Sequence, residues 1–242
     1  MVAYVIDIET TGLLKFQTNA KTGRTELSDD SEILEVGYLA IDTYTKEIMN
    51  HGVLYFYKPY FNIESEAQSI HGLTRDFLQQ YEGDFEKNLI ILSSMTQLGM
   101  IIGKNCDIFD IPFIDAFIEK HGTESMNVRQ LLASCQTKDI YGSAFTLDRH
   151  PFNVDVQKFF APTFRKMYAE KTGITLSERK RGKLGEYIDV IPNGTAIVDT
   201  IYNDLDKARS TRAHGALYDA VMTYVVWYMC KSWGLLPEEL NQ

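Results

Sequence analysis

Cysteine is scarce in this chain: Cys106, Cys135 and Cys230 are the only three, and they are widely spaced. An odd count without a C-x-x-C pair argues against a disulfide framework and against a zinc site. It favours reduced thiols in a cytosol-like compartment. Long apolar runs are also missing. The longest near the C-terminus, Met222 to Cys230, falls far short of the ~20 residues that a membrane span needs. No basic n-region precedes the first apolar segment, and Lys15 interrupts soon after it. No secretory leader is therefore read, and a cytoplasmic location without membrane attachment is expected. There is no internal repeat and no low-complexity segment. Basic residues are the minority, with 24 Lys and Arg against 33 Asp and Glu and a net charge of −9. That balance is unusual for a protein that grips long duplexes through their phosphates. It fits an enzyme that holds a few nucleotides at a metal site, and it fits an ordinary soluble protein equally well.

What is present suits one α/β domain with insertions, or one domain with a small lobe: 242 residues, 45% of them hydrophobic. One segment departs from the acidic average. Between Pro162 and Lys183 lie Arg165, Lys166, Lys171, Arg179, Lys180, Arg181 and Lys183, against Glu170 and Glu178. This is either a local phosphate-binding patch or a solvated helix and loop.

The hydrophobic pattern predicts strands over Val2–Ile8, Ile33–Ile41 and Ile48–Tyr57. The last two form an antiparallel hairpin across the short polar link Asp42–Glu47. Lys15–Ser31 reads as a polar loop. Short helices are predicted over Ser65–Ser69 and Thr74–Gln80, with Thr74 as an N-cap. Gly99–Lys104 is a short strand, Phe109–His121 a helix stopped by Gly122, and Cys135–Ile140 a last strand. Residues 141–183 read as an insertion carrying an amphipathic helix, Val156–Lys171, with Phe159, Phe160, Phe164, Met167 and Tyr168 as its apolar set. Ala216–Trp233 is a final helix ended by Gly234 and Pro237. Strands followed by alternating helix and strand imply a mixed sheet between helices.

Asp7-Ile8-Glu9-Thr10-Thr11-Gly12 is the most informative stretch. On a strand, Asp7 and Glu9 leave the same face. Two adjacent carboxylates at a strand end repel each other and are costly to bury without a cation, so a divalent metal is their expected partner. Two further segments follow in order: Gly103-Lys104-Asn105-Cys106-Asp107-Ile108-Phe109-Asp110-Ile111-Pro112-Phe113 and Ala213-His214-Gly215-Ala216-Leu217-Tyr218-Asp219-Ala220.

Together these resemble the three motifs of the DEDDh, or DnaQ-like, exonucleases. Ile70-His71-Gly72-Leu73-Thr74 is similar to that family's "HGIT" segment. The resemblance covers residues 1 to about 122 and about 184 to 230. It implies a ribonuclease H-like fold: a mixed five-stranded sheet flanked by helices, with a mainly helical insertion before the last motif, all in one domain. It implies two ions, Mg²⁺ or Mn²⁺, held by Asp7, Glu9, Asp110 and Asp219, with Asp7 bridging both. Asp110 follows an aromatic and precedes an apolar helix start, as the pattern requires; Asp107 does not. Pro112 suits a first helical turn and puts Asp110 at or near the cap, which is the plainer alternative for it.

His214 is the implied general base. It precedes Asp219 by five residues, about 140° around a helix, so it belongs at the helix start or in the loop before it. The tyrosine variant of the superfamily has Tyr four residues before the last Asp, where this chain has Gly215. Thr10, Thr11 and Gly12 are candidates for presenting backbone N–H groups to the terminal nucleotide. Leu13 resembles the family's apolar wedge, or is core. His71 is a nucleotide contact or a cap. Asn105 matches the family's "HN" pair, whose His is replaced here by Lys104. His51, His121 and His150 read as surface or structural.

The resemblance implies a metal-dependent 3′–5′ exonuclease acting on single-stranded or frayed ends, with DNA favoured over RNA and with replication or repair proteins as possible partners. The alternatives are an RNA-trimming ribonuclease of the same family, a non-catalytic nucleic-acid-binding module, and a polymerase accessory subunit.

Overall fold

A computed structural model describes residues 2–13, 16–18, 25–27, 31–122, 153–205 and 215–241. Its strands are β1 (Val2–Thr10), β2 (Phe16–Thr18), β3 (Thr25–Leu27), β4 (Ile33–Asp42), β5 (Ile48–Tyr55), β6 (Met100–Gly103) and β7 (Asn153–Asp155). Its helices are α1 (Ser65–His71), α2 (Arg75–Gln79), α3 (Phe85–Leu98), α4 (Asp110–His121), α5 (Val156–Thr172), α6 (Leu184–Val190), α7 (Gly194–Leu205), α8 (Ala216–Ser232) and α9 (Glu238–Asn241).

The main sheet has five strands in the order β5-β4-β1-β6-β7. β5, β4 and β1 run antiparallel, whereas β1, β6 and β7 run parallel. The expected hairpin is thus β4–β5. Its turn is held by the Asp42 carboxylate, which accepts the N–H groups of Tyr44 at 2.7 Å and Thr45 at 3.0 Å. Thr74 caps α2, its hydroxyl accepting the Phe77 N–H at 3.2 Å.

Strand periodicity divides the core into two layers. Ala3 and Val5 of β1 face one cluster with Leu39, Ile41, Phe160, Phe164, Tyr187, Val221 and Trp227, supplied largely by α5, α6 and α8. Ile6 and Ile8 face the other, with Val36 of β4 and Phe85, Leu89, Phe113 and Phe117 from α3 and α4. Helices therefore cover both faces, as in the ribonuclease H-like architecture.

Several expectations change. The fifth strand is Asn153–Asp155, inside the stretch expected to be an insertion; the expected strand Cys135–Ile140 lies outside the described residues. A three-residue strand is too short to leave a periodic signal. The mainly helical stretch before α8 is present, but α5 packs directly on the core through Phe160 and Phe164. The loop Lys15–Ser31 contains the short antiparallel pair β2–β3. Gly122 stops α4 without a left-handed turn (φ −69°). Glycine is required there because a Cβ would lie 2.5 Å from the Ile118 carbonyl oxygen. Cys106 and Cys230 are free and buried, and Cys135 lies outside the described residues. Among the described residues, no helix is long and apolar enough to cross a membrane.

Candidate active site

Asp7 and Glu9 continue the face of β1 begun by Ala3 and Val5, the face on which α8 packs. Directly across on β4, Gly37 pairs with Asp7 and Glu35 with Glu9. Gly37 allows the start of α8 to rest on the sheet at this level, because a Cβ there would lie 2.1 Å from the Ala216 carbonyl carbon. Asp219, in the first turn of α8, then meets the strand pair. Ligand oxygens of Asp7, Glu9 and Asp219 all lie within 4.8 Å of one another.

Asp110 arrives from the parallel side. It is the first residue of α4 and is only 4% exposed. Its carboxylate accepts its own N–H and that of Ile8, the β1 residue between Asp7 and Glu9. It lies outside the three-carboxylate group, yet its charge acts on Asp7. Asp107 turns away and pairs with Lys158 on α5, so of the two acids only Asp110 joins the site.

The electrostatics are those of a crowded anionic centre. Burial, and then the charges of Asp219, Asp110, Glu9 and Glu35, hold the Asp7 carboxyl well above the ordinary carboxylate range. Burial pushes Asp110 up to about 7, against the stabilising N–H donors and the Lys104 charge. Oxygen donors on partly buried acids from β1 and α8, with buried Asp110 of α4 beside them, fit a hard divalent cation, which would relieve this repulsion. Magnesium oxygens around one ion stand roughly 3–4 Å apart, so the cluster needs only a small contraction.

The remaining candidates divide. Thr10 and Thr11 are buried and spent locally: the Thr10 hydroxyl donates to the Gly12 carbonyl at 2.7 Å, and the Thr11 N–H to the Glu32 carbonyl at 2.9 Å. The Thr11 amide, a candidate for facing the nucleotide, is thus engaged in strand-end pairing here. Gly12 is buried against Glu64, whose carboxyl carbon would lie 2.6 Å from a Cβ. Leu13 is 76% exposed, which removes core packing as its role. His71 is buried and its Nδ1 accepts the Leu73 N–H at 3.0 Å, just past the end of α1. Asn105 adopts φ +63° in the turn between β6 and α4. His214 lies outside the described residues, directly before Gly215, the N-cap of α8.

The Tyr218 hydroxyl donates to the Asp199 carboxylate of α7 at 3.0 Å. The His51 Nε2 contacts the Leu205 carbonyl oxygen at 2.9 Å, and His121 contacts buried Glu32 at 2.7 Å; both are structural, and His150 lies outside the described residues.

Sequence reasoning missed two acids. Glu35 is buried opposite Glu9, and the period-two register of β4 was its available signal. Asp155 ends β7 and caps α5; its carboxylate accepts the N–H groups of Asn105 at 2.7 Å and Gln157 at 3.1 Å. The Gln157 amide also donates to the Asn105 side chain at 3.2 Å. Asp155 thereby clamps the turn that leads into Asp110. Asp directly before a helix start is an N-cap signal, but nothing in the sequence tied it to residue 105.

The sequence model of the RNase T family, described as "Exonuclease", matches residues 4–158. No curated protein matches. Among solved structures, Escherichia coli Exonuclease I in complex with a dT13 oligonucleotide is similar at 16% identity and TM-score 0.52, covering 96% of this chain and 41% of that one. The same enzyme with a dA16 oligonucleotide aligns at 17% identity and TM-score 0.53, covering 99% and 42%. The chain thus spans about two fifths of these Exonuclease I structures, and at this identity the likeness is one of fold.

Proposed function

The chain belongs to the exonuclease family matched over residues 4–158, and we propose that it is a divalent-metal-dependent 3′–5′ exonuclease, folded as one domain, that releases nucleoside monophosphates from single-stranded or frayed DNA. The observation that carries this reading is the convergence of Asp7, Glu9 and Asp219 within 4.8 Å, at the junction of a strand end and a helix start. Asp7, Glu9, Asp110 and Asp219 would hold two Mg²⁺ or Mn²⁺ ions. When bound, such ions activate a water and stabilise charge on the phosphorus and the leaving oxygen.

The protein's own residues do the rest. By holding the ions, the carboxylates would set where the scissile phosphate sits, at the carboxyl end of β1. His214, immediately ahead of α8, takes the proton of the attacking water. Exposed Leu13 lies against the terminal base. Arg179, Lys180, Arg181 and Lys183 are exposed on the loop between α5 and α6 and meet phosphates farther along the strand. Exonuclease I structures of this fold are described with dT13 and with a zinc ion and single-stranded DNA, which supports a metal-bound single strand as substrate. Such a substrate makes replication or repair proteins the natural partners.

The test uses 5′-labelled single-stranded and duplex DNA and RNA with Mg²⁺, Mn²⁺ or EDTA. A descending ladder from single-stranded DNA with metal, and none in EDTA or from Asp7→Ala, is expected. A labelled mononucleotide as first product would reverse the polarity. A ladder from RNA alone would change the substrate, and metal-dependent activity in pure Asp7→Ala would overturn the site.

A further inference from the structure

Lys104 stands where the resemblance places a histidine, and the sequence suggests no task for it. It directly follows β6, and β1, β6 and β7 run parallel, so it leaves the sheet at the same carboxyl edge as Asp7 and Asp155. Its side chain is half-buried. The negative charges that act on its ammonium are those of Asp155, Asp7, Asp110 and Asp219, which come from four different elements. Among the described residues it makes no ion pair within 4.0 Å and no hydrogen bond. Its Nζ lies 6.0 Å from the centroid of the buried Tyr187 ring, at the outer limit of a cation–π contact. Among the described residues the three donors of this ammonium are thus unspent, beside the anionic centre.

Charge balance says what they are for. The four ligand carboxylates and two divalent cations would sum to zero, with the charges of Asp155 and Glu35 left over. A nucleic-acid strand then adds one negative charge per linkage to a half-buried site, where uncompensated charge is expensive. Tyr187 also ties this position to the basic loop, since its hydroxyl donates to the Arg181 carbonyl.

Building on the nuclease reading above, we propose that Lys104 binds a backbone phosphate of the substrate strand next to the metal-binding carboxylates, with Tyr187 as its apolar backing, and so is the first contact of a cationic track continued by Arg179–Lys183.

The test compares the wild-type chain with Lys104→Met, Lys104→Gln and Lys104→Arg. One arm measures no turnover: anisotropy of a fluorescein-labelled oligo(dT) strand in Ca²⁺ across a NaCl series. The Met and Gln variants should bind about tenfold more weakly, the factor expected for one charge-assisted hydrogen bond. Their log–log salt slope should be shallower by about 0.7, one phosphate contact on a single strand. Arg should restore both. A second arm measures hydrolysis with Mg²⁺, where KM should rise more than kcat falls. Wild-type affinity and slope in Met and Gln variants that melt normally would overturn the proposal. Wild-type protein inert in Mg²⁺ would instead overturn the nuclease reading, and the binding arm would still decide Lys104.

Discussion

Gly37 and Ala216 stand in backbone contact: a Cβ built on Gly37 would lie 2.1 Å from the carbonyl carbon of Ala216. Gly37 is the β4 partner of Asp7, and Ala216 begins the helix that carries Asp219. One missing methyl group therefore sets the distance between the first and last motifs.

Gly37→Ala should separate them. The new Cβ meets peptide atoms, 2.2 Å from the Leu217 nitrogen, and cannot be relieved by a rotamer change. Overpacking of this kind costs about 1–3 kcal/mol. The melting temperature should fall, and turnover measured well below it should drop by far more than the unfolded fraction explains. Wild-type turnover in this variant would mean that α8 tolerates the shift.

Stability should depend on pH and metal together. In metal-free protein, Asp7 lies well above the carboxylate range and Asp110 near 7, burial being the main cause for both. A carboxyl whose folded pKa is raised contributes stability that is full below its unfolded pKa, about 4, and is lost as pH rises through the folded value. Melts in EDTA should therefore decline between about pH 5 and pH 8. Cations bind the ionised acids, so the Mg²⁺-induced rise should be larger at pH 8 than at pH 5.5. Asp7→Asn should melt higher than wild type in EDTA at pH 8 while losing turnover. An equal Mg²⁺ shift at both pH values would contradict the coupling.

Asp155 should matter to the site without touching it. Asp155→Ala strands the N–H groups of Asn105 and Gln157, at about 1–3 kcal/mol for each buried donor. Asp155→Asn keeps an acceptor oxygen and should melt much closer to wild type. Because the Asn105 turn leads into Asp110, Mg²⁺ affinity by calorimetry should weaken in the alanine variant and largely recover in asparagine. Unchanged affinity in Asp155→Ala would confine the clamp to stability.

His214→Ala should lower turnover by roughly a hundredfold to ten-thousandfold, the usual weight of a general base. Metal and strand binding should survive, since no ligand is removed. Near-normal turnover with metal bound would make His214 structural.

The local pattern of the sequence was enough to bring two acids together: alternation places Asp7 and Glu9 on one face of β1. That inference needs only the strand period, which acts over a few residues. The choice of Asp110 rather than Asp107, and of Asp219, rested on the resemblance to the family's motifs. Partners far apart in sequence were another matter. The pairing of Glu9 with Glu35, the seating of Ala216 on Gly37, the bond from the Asn105 N–H to Asp155 and the action of four acids' charges on Lys104 each join residues from separate elements. So does the edge strand Asn153–Asp155, whose three residues hold strand conformation by pairing with β6. Sheet register, helix seating and buried charge are properties of packed neighbours, and chain order alone does not say which neighbours a residue will have.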